Sequence, residues 1–119
     1  MTDITIYHNA RCSNSRGALA LLRERGIEPH IVDYLAQPLD LAQLQQLAAA
    51  VGGPVRDLLR SKEAAYQTLG LADPACTHAQ LLAAVAKHPE LLNRPIVVTP
   101  RGALLCRPPE RVLDLLPAA

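Results

Sequence analysis

Between Ile4 and Tyr34 the chain reads strand, helix, strand, and that order leaves few ways to fold. Ile4, Ile6 and Tyr7, with Thr5 between them, are strand formers. From Ala18 onward, Leu19, Leu21 and Leu22 supply an apolar helical face opposed by Arg16, Arg23, Glu24 and Arg25, and Arg25-Gly26 is a helix stop. His30-Ile31-Val32-Asp33-Tyr34 reads as the second strand. A helix between two strands this close in sequence predicts a parallel pair joined by a right-handed crossover. Asn9 begins the turn after the first strand, and Ser13, Asn14 and Ser15 are the small polar residues that cap helices. Cys12 therefore falls at or just before a helix N-terminus. Unpaired backbone N–H groups and the positive end of the helix dipole favour an anion there. A cysteine so placed can drop from a pKa of roughly 8.5 to about 3.5–7.5 and react as a thiolate. The competing reading is a small buried apolar residue, against which stand the polar loop before Cys12 and the polar residues after it.

The rest of the chain completes a sheet. Gln37-Pro38 is a break; Asp40 with Gln43 forms a capping box, and Leu41, Leu44, Leu47 and Val51 keep helical spacing up to Gly52-Gly53-Pro54. Short helical pieces are predicted over Val55 to Arg60 and around Glu63 to Leu69, followed by a loop from Gly70 to Pro74. Thr77 with Gln80 is a second capping box, opening a helix to Lys87 that His88-Pro89 closes. Ile96 to Val98 is a continuous apolar strand of the kind buried on both faces, with Pro95 at its first position. Pro100-Arg101-Gly102 turns the chain into Ala103-Leu104-Leu105-Cys106, its antiparallel partner, and Pro108-Pro109 opens a last helix over Glu110 to Leu116. The order β-α-β, helices, β-β-α predicts an α/β fold: a four-stranded mixed sheet flanked by helices, in one domain over 1–119 with a helical insertion at about 38–90.

Composition excludes several classes. The chain has no Phe or Trp, so Leu and Ala must fill the core, with three tyrosines the only rings. A net charge of +1 without a run of Lys or Arg excludes nucleic-acid binding through a basic face. No stretch approaches the ~18–20 apolar residues of a membrane span, and the N-terminus runs into a strand rather than a secretory signal. Three cysteines, at 12, 76 and 106, suit a reducing cytosol better than a disulfide framework, so a cytoplasmic protein is expected.

Spacing narrows the chemistry. Thioredoxin-type exchange wants Cys-x-x-Cys, and Ser15 stands at the fourth position. A phosphatase loop Cys-x5-Arg is absent, the nearest following arginine being Arg16. Cys76-x-His78 offers two ligands with no second pair, so no metal site is assigned. Cys106 lies in an apolar strand and reads as core. Arg94 precedes the buried strand and Arg107 follows its hairpin partner, so an antiparallel pairing brings both to one edge of the sheet, where strand one also ends at His8. Guanidinium groups there would present planar forks of donors to an oxyanion. His8 is either a hydrogen-bonding or charged neighbour of the thiolate or a structural strand end. Ser15 donates to the sulfur, caps the helix, or does both. Pro95 is open to a cis or a trans reading.

Taken together, His8-Asn9-x-x-Cys12-x-x-Ser15-Arg16, then Arg94-Pro95-Ile96-Val97-Val98, then Arg107-Pro108 resemble the glutaredoxin-linked arsenate reductase family (ArsC), with a thioredoxin-like fold. The resemblance extends through Leu69-Gly70-Leu71-Ala72 and the helical insert, and less closely reaches the RNA polymerase-binding regulators of the Spx kind. It implies reduction of arsenate to arsenite by Cys12, with His8 and Ser15 assisting and Arg60, Arg94 and Arg107 holding the oxyanion. Arg60 is assigned because Arg60-x-Lys62-Glu63 followed by Tyr66 and Leu69 keeps the family register, although Arg56 lies one turn earlier. It implies no bound cofactor, glutathione as reducing cosubstrate and glutaredoxin as partner, and Pro95 as a cis-proline. Two other functions remain open: a glutathione-dependent reductase of another substrate, and a non-enzymatic Spx-like regulator, which the missing second cysteine disfavours.

Overall fold

The computed structural model describes residues 3–116. They divide into two compact units, one formed by the described residues up to 37 together with those from 94 onward, and the other by 38–93.

The first unit carries the sheet. Its strands are β1 (Thr5–His8), β2 (His30–Asp33), β3 (Ile96–Thr99) and β4 (Gly102–Leu105), in the order β2-β1-β3-β4. β1 pairs parallel with β2, Ile6 opposite Ile31, as the intervening helix requires. β3 runs antiparallel to both β1 and β4, with Ile6 opposite Val97 and Val97 opposite Leu104. Helix α1 (Ser13–Glu24) buries Ser15, Ala18, Leu19 and Leu22, three of them the apolar positions one helical face provides. These pack with Ile6, Val97, Cys106, Val112 and Leu115 into one cluster. α1 ends where Gly26, at φ +75°, donates to the Arg23 carbonyl. The last helical segment, Pro109–Leu115, winds as a 3-10 helix rather than the expected α-helix. Gly17 lets it approach α1: a Cβ there would lie 3.0 Å from the Pro109 ring.

The second unit is helical: α2 (Leu41–Val51), α3 (Ala64–Thr68) and α4 (His78–Lys87), with 3-10 turns at Val55–Leu58 and Pro89–Leu91, the latter not foreseen. Both capping boxes form, Asp40 accepting from Gln43 N–H and Thr77 from Gln80 N–H, with the glutamine side chains reaching back. Leu44, Leu47, Leu58, Leu81, Leu82 and Val85 are buried. Among the described residues no helix is long and apolar enough to cross a membrane.

Candidate active site

Four residues between β1 and α1 decide where Cys12 points. The Cys12 N–H donates to the Asn9 carbonyl over 3.0 Å, closing a turn. Cys12 then takes extended backbone angles (φ −89°, ψ 123°) as the N-cap of α1. This differs in detail from the expectation that Ser13, Asn14 or Ser15 caps the helix: those residues form its first turn, and no side chain caps it. Two of the orphan donors of that turn, the N–H groups of Asn14 and Ser15, are turned on the Cys12 sulfur.

Arginines reach the same sulfur from the other end of the unit. Arg94, just before β3, hydrogen-bonds to it through its guanidinium. Arg107, just after β4, brings Nη1 to 3.7 Å from Sγ and donates from the same nitrogen to the Arg94 carbonyl at 2.9 Å. The antiparallel β3–β4 pairing is what brings residues 94 and 107 to one edge. The Arg94–Pro95 bond is cis, one of the two readings left open above; the Arg107–Pro108 bond is also cis, which the helix-start reading of Pro108 did not anticipate. Burial raises the pKa of the half-buried Cys12 thiol. The Ser15 N–H, the Arg94 guanidinium and the Asn14 N–H outweigh it, and the thiol is held below its ordinary value.

His8 and Ser15 pair with each other. Ser15 is fully buried; its hydroxyl accepts from the Asn9 N–H at 3.0 Å and lies 2.6 Å from His8 Nδ1. Burial lowers the His8 pKa, with Arg23 and Arg16 adding to the effect and Asp33 opposing it, so the neutral ring prevails at pH 7. A groove of about 650 Å3 opens beside His8 and Ala10. Arg16, Leu19, Ala20 and Arg23 also line it, and Cys12, Arg94 and Arg107 are not among its lining residues.

The remaining candidates lie in the second unit or the core. Arg60 pairs with Glu63. Arg56 donates to Tyr66 Oη at 3.0 Å, to the Leu71 carbonyl, and to the Asp73 carbonyl at 2.9 Å. Cys106 is fully buried, its thiol pushed up by burial to about 12, which removes it from thiolate chemistry. Cys76 is half-buried, its thiol 3.6 Å from the Gly70 carbonyl. Among the described residues no three of His, Cys, Asp and Glu group as metal ligands.

Sequence reasoning read Asn9 as the start of the turn, which it is, but gave its side chain no role, and gave Arg16 none in the loop. Asn9 engages the loop through its N–H, its carbonyl and its side chain, and Arg16 donates from Nη1 to the Ala10 carbonyl at 2.9 Å. The available signal was an asparagine two residues before a loop N–H, the spacing of an Asx-turn.

The pattern that defines the ArsC family matches residues 7–115. The chain belongs to the ArsC family. An arsenate reductase of Escherichia coli is 50% identical over 119 residues, which is 100% of this chain and 84% of that protein. YfgD of Escherichia coli strain K12, described as uncharacterized, is 45% identical over 115 residues, covering 96% of this chain and 97% of its own length. The solved arsenate reductase from Vibrio cholerae matches with a TM-score of 0.91 at 42% identity, covering 95% of this chain and 97% of that one. As in that solved relative, the mixed four-stranded sheet with its helices is a thioredoxin-like fold.

Proposed function

We propose that the protein is an oxidoreductase that reduces arsenate to arsenite, using glutathione and glutaredoxin as electron donors in the cytosol. The observation that carries this reading is the Cys12 sulfur held at a helix N-terminus with Arg94 and Arg107 against it, in a chain 50% identical to an arsenate reductase. The Cys12 thiolate attacks arsenic and an As–O bond breaks, the oxygen leaving as water. Glutathione displaces a second oxygen as water and forms an As–S bond. A glutaredoxin thiolate then attacks the glutathione sulfur. The As–S electron pair stays on arsenic, which becomes As(III), and a mixed disulfide leaves. Hydrolysis of the Cys12–As bond consumes one water and releases arsenite. An external thiol suits this chain because Cys106 is buried and its thiol strongly disfavours ionisation.

Within that reading Arg94 and Arg107 bind the oxyanion and favour the thiolate. His8 acts by hydrogen bonding, its ring being neutral, and Ser15 anchors the loop that His8 borders. Arg60 is assigned to the oxyanion on the family register. Arg56 is the poorer choice because its donors are committed to backbone carbonyls and Tyr66.

The test is arsenate-dependent NADPH oxidation in the presence of glutathione, glutaredoxin and glutathione reductase, with Cys12→Ser as control. A rate that requires arsenate and vanishes in Cys12→Ser supports the proposal. If glutathione mixed disulfides are turned over and arsenate is not, the alternative of a thiol reductase with another substrate takes its place.

A further inference from the structure

The loop from Asn9 to Cys12 contains no regular structure, yet each of its residues is tied by a hydrogen bond, and three of the ties run through Asn9. Its N–H donates to the buried Ser15 hydroxyl at 3.0 Å. Its side-chain Oδ1 accepts from the Arg11 N–H at 2.9 Å, closing an Asx-turn. Its carbonyl accepts from the Cys12 N–H at 3.0 Å. Arg16 holds the loop from α1, through Nη1 to the Ala10 carbonyl and through its N–H to the Cys12 carbonyl. The backbone bonds alone do not select this turn, since any residue at position 9 carries an N–H and a carbonyl. What asparagine adds is the acceptor that fixes the Arg11 N–H and so the direction in which the chain enters Cys12.

We propose that Asn9 is a positioning residue for the nucleophile: its side chain locks the turn that sets the Cys12 sulfur over the N–H groups of Asn14 and Ser15 and against Arg94 and Arg107. A geometric requirement lies behind this. Hydrogen bonds to a thiolate weaken steeply with distance and angle, and none of these four donors can follow Cys12 if its loop swings: two are backbone groups in the first turn of α1, and two are guanidiniums held at the β3 and β4 ends. Losing the lock therefore separates sulfur from donors without removing any of them. Arg16 belongs to the same arrangement. It is the arginine nearest to Cys12 in the sequence after the cysteine, and its Nη1 donates to the Ala10 carbonyl, so it holds the loop.

The proposal rests on Cys12 being a thiolate and is tested without arsenate, so it stands or falls apart from the identity of the substrate. The rate of Cys12 alkylation by iodoacetamide is followed from pH 5 to 9 in the full chain carrying Cys76→Ser, with the wild-type Asn9, Asn9→Ala and Asn9→Ser. Asn9→Ala is expected to raise the Cys12 pKa by about one unit, which slows alkylation roughly tenfold below that pKa, where each unit is a tenfold loss of thiolate. Asn9→Ser, whose hydroxyl can accept from the same N–H, recovers most of the rate. An unchanged profile in Asn9→Ala overturns the proposal, and so do equal defects in Ala and Ser. A second measurement needs no variant: amide exchange at Arg11 is slowed if Oδ1 holds its N–H, and exchange at the rate of a free peptide overturns the lock.

Discussion

The guanidinium of Arg107 lies 3.7 Å from the sulfur of Cys12, 95 residues away in sequence. The same Nη1 donates to the carbonyl of Arg94, so the residue that touches the sulfur also steadies its neighbour. Lysine at either position keeps the charge and loses the planar fork. Arg94 contributes a direct hydrogen bond and a Coulombic attraction to the thiolate, so Arg94→Ala is predicted to raise the Cys12 pKa. Arg94→Ala and Arg107→Ala should each raise the half-saturating arsenate concentration at least tenfold. Arg94→Lys and Arg107→Lys should recover only part of that loss. Steady-state kinetics with arsenate varied, beside thiol titration of each variant, check this.

Acidification should remove both activity and stability. The Cys12 thiol is held below its ordinary value, so its thiolate persists below that pH and is lost as pH falls through the folded-state value. His8 is held below the ordinary 6.5, so folding favours its neutral form. In each case the folded state binds fewer protons than the unfolded state over the window between the two values, and stability rises with pH across it. For each group the contribution is complete above its ordinary, unfolded-state value. Urea denaturation of wild type and Cys12→Ser across pH 5 to 9 reads the Cys12 part directly. The stability difference between them should shrink toward acid, and a difference that is constant with pH contradicts the account.

Arg56 should matter for folding more than for chemistry. Its guanidinium supplies the Leu71 and Asp73 carbonyls and Tyr66 Oη, and Leu71 and Tyr66 are buried. Removing it leaves buried acceptors unpaired, at about 1–3 kcal/mol for each lost partner. Arg56→Ala is predicted to lower the urea midpoint markedly, whereas Arg60→Ala, at a partly exposed ion pair, should cost about 1 kcal/mol or less and act on arsenate kinetics. Equilibrium unfolding of the two variants side by side distinguishes the roles.

Much of this arrangement was legible because local rules and global packing agree. Ile6 and Val97 read as buried strand residues and are paired neighbours in the core; Asp40 with Gln43 and Thr77 with Gln80 read as capping boxes and form them. The convergence of Arg94 and Arg107 followed from hairpin geometry. Other features turned on atoms that residue type alone does not place. Ser13, Asn14 and Ser15 look like caps, but the turn closed by Asn9 brings the chain into the helix one residue earlier, at Cys12. Ser15 read as a donor to the sulfur or a cap; its hydroxyl instead meets Asn9 and His8, and its backbone N–H meets the sulfur. The cis bond before Pro108 and the 3-10 winding of Pro109–Leu115 have no signal in residue spacing. Nor does the commitment of Arg56 to carbonyls, which depends on how the 69–73 loop folds back.

The central claim is that Cys12 is the one thiol of this chain that the reaction needs, with the others supplied from outside. The most direct test is a chain whose sole cysteine is Cys12, made as Cys76→Ser with Cys106→Ala, assayed for arsenate-dependent NADPH oxidation with glutathione and glutaredoxin. The small core deletion at Cys106 should cost about 1 kcal/mol, leaving a folded protein that retains at least half of the wild-type rate and loses all of it on further Cys12→Ser substitution. A folded single-cysteine protein without arsenate-dependent turnover, beside an active wild type, would contradict the account by making Cys76 or Cys106 a participant.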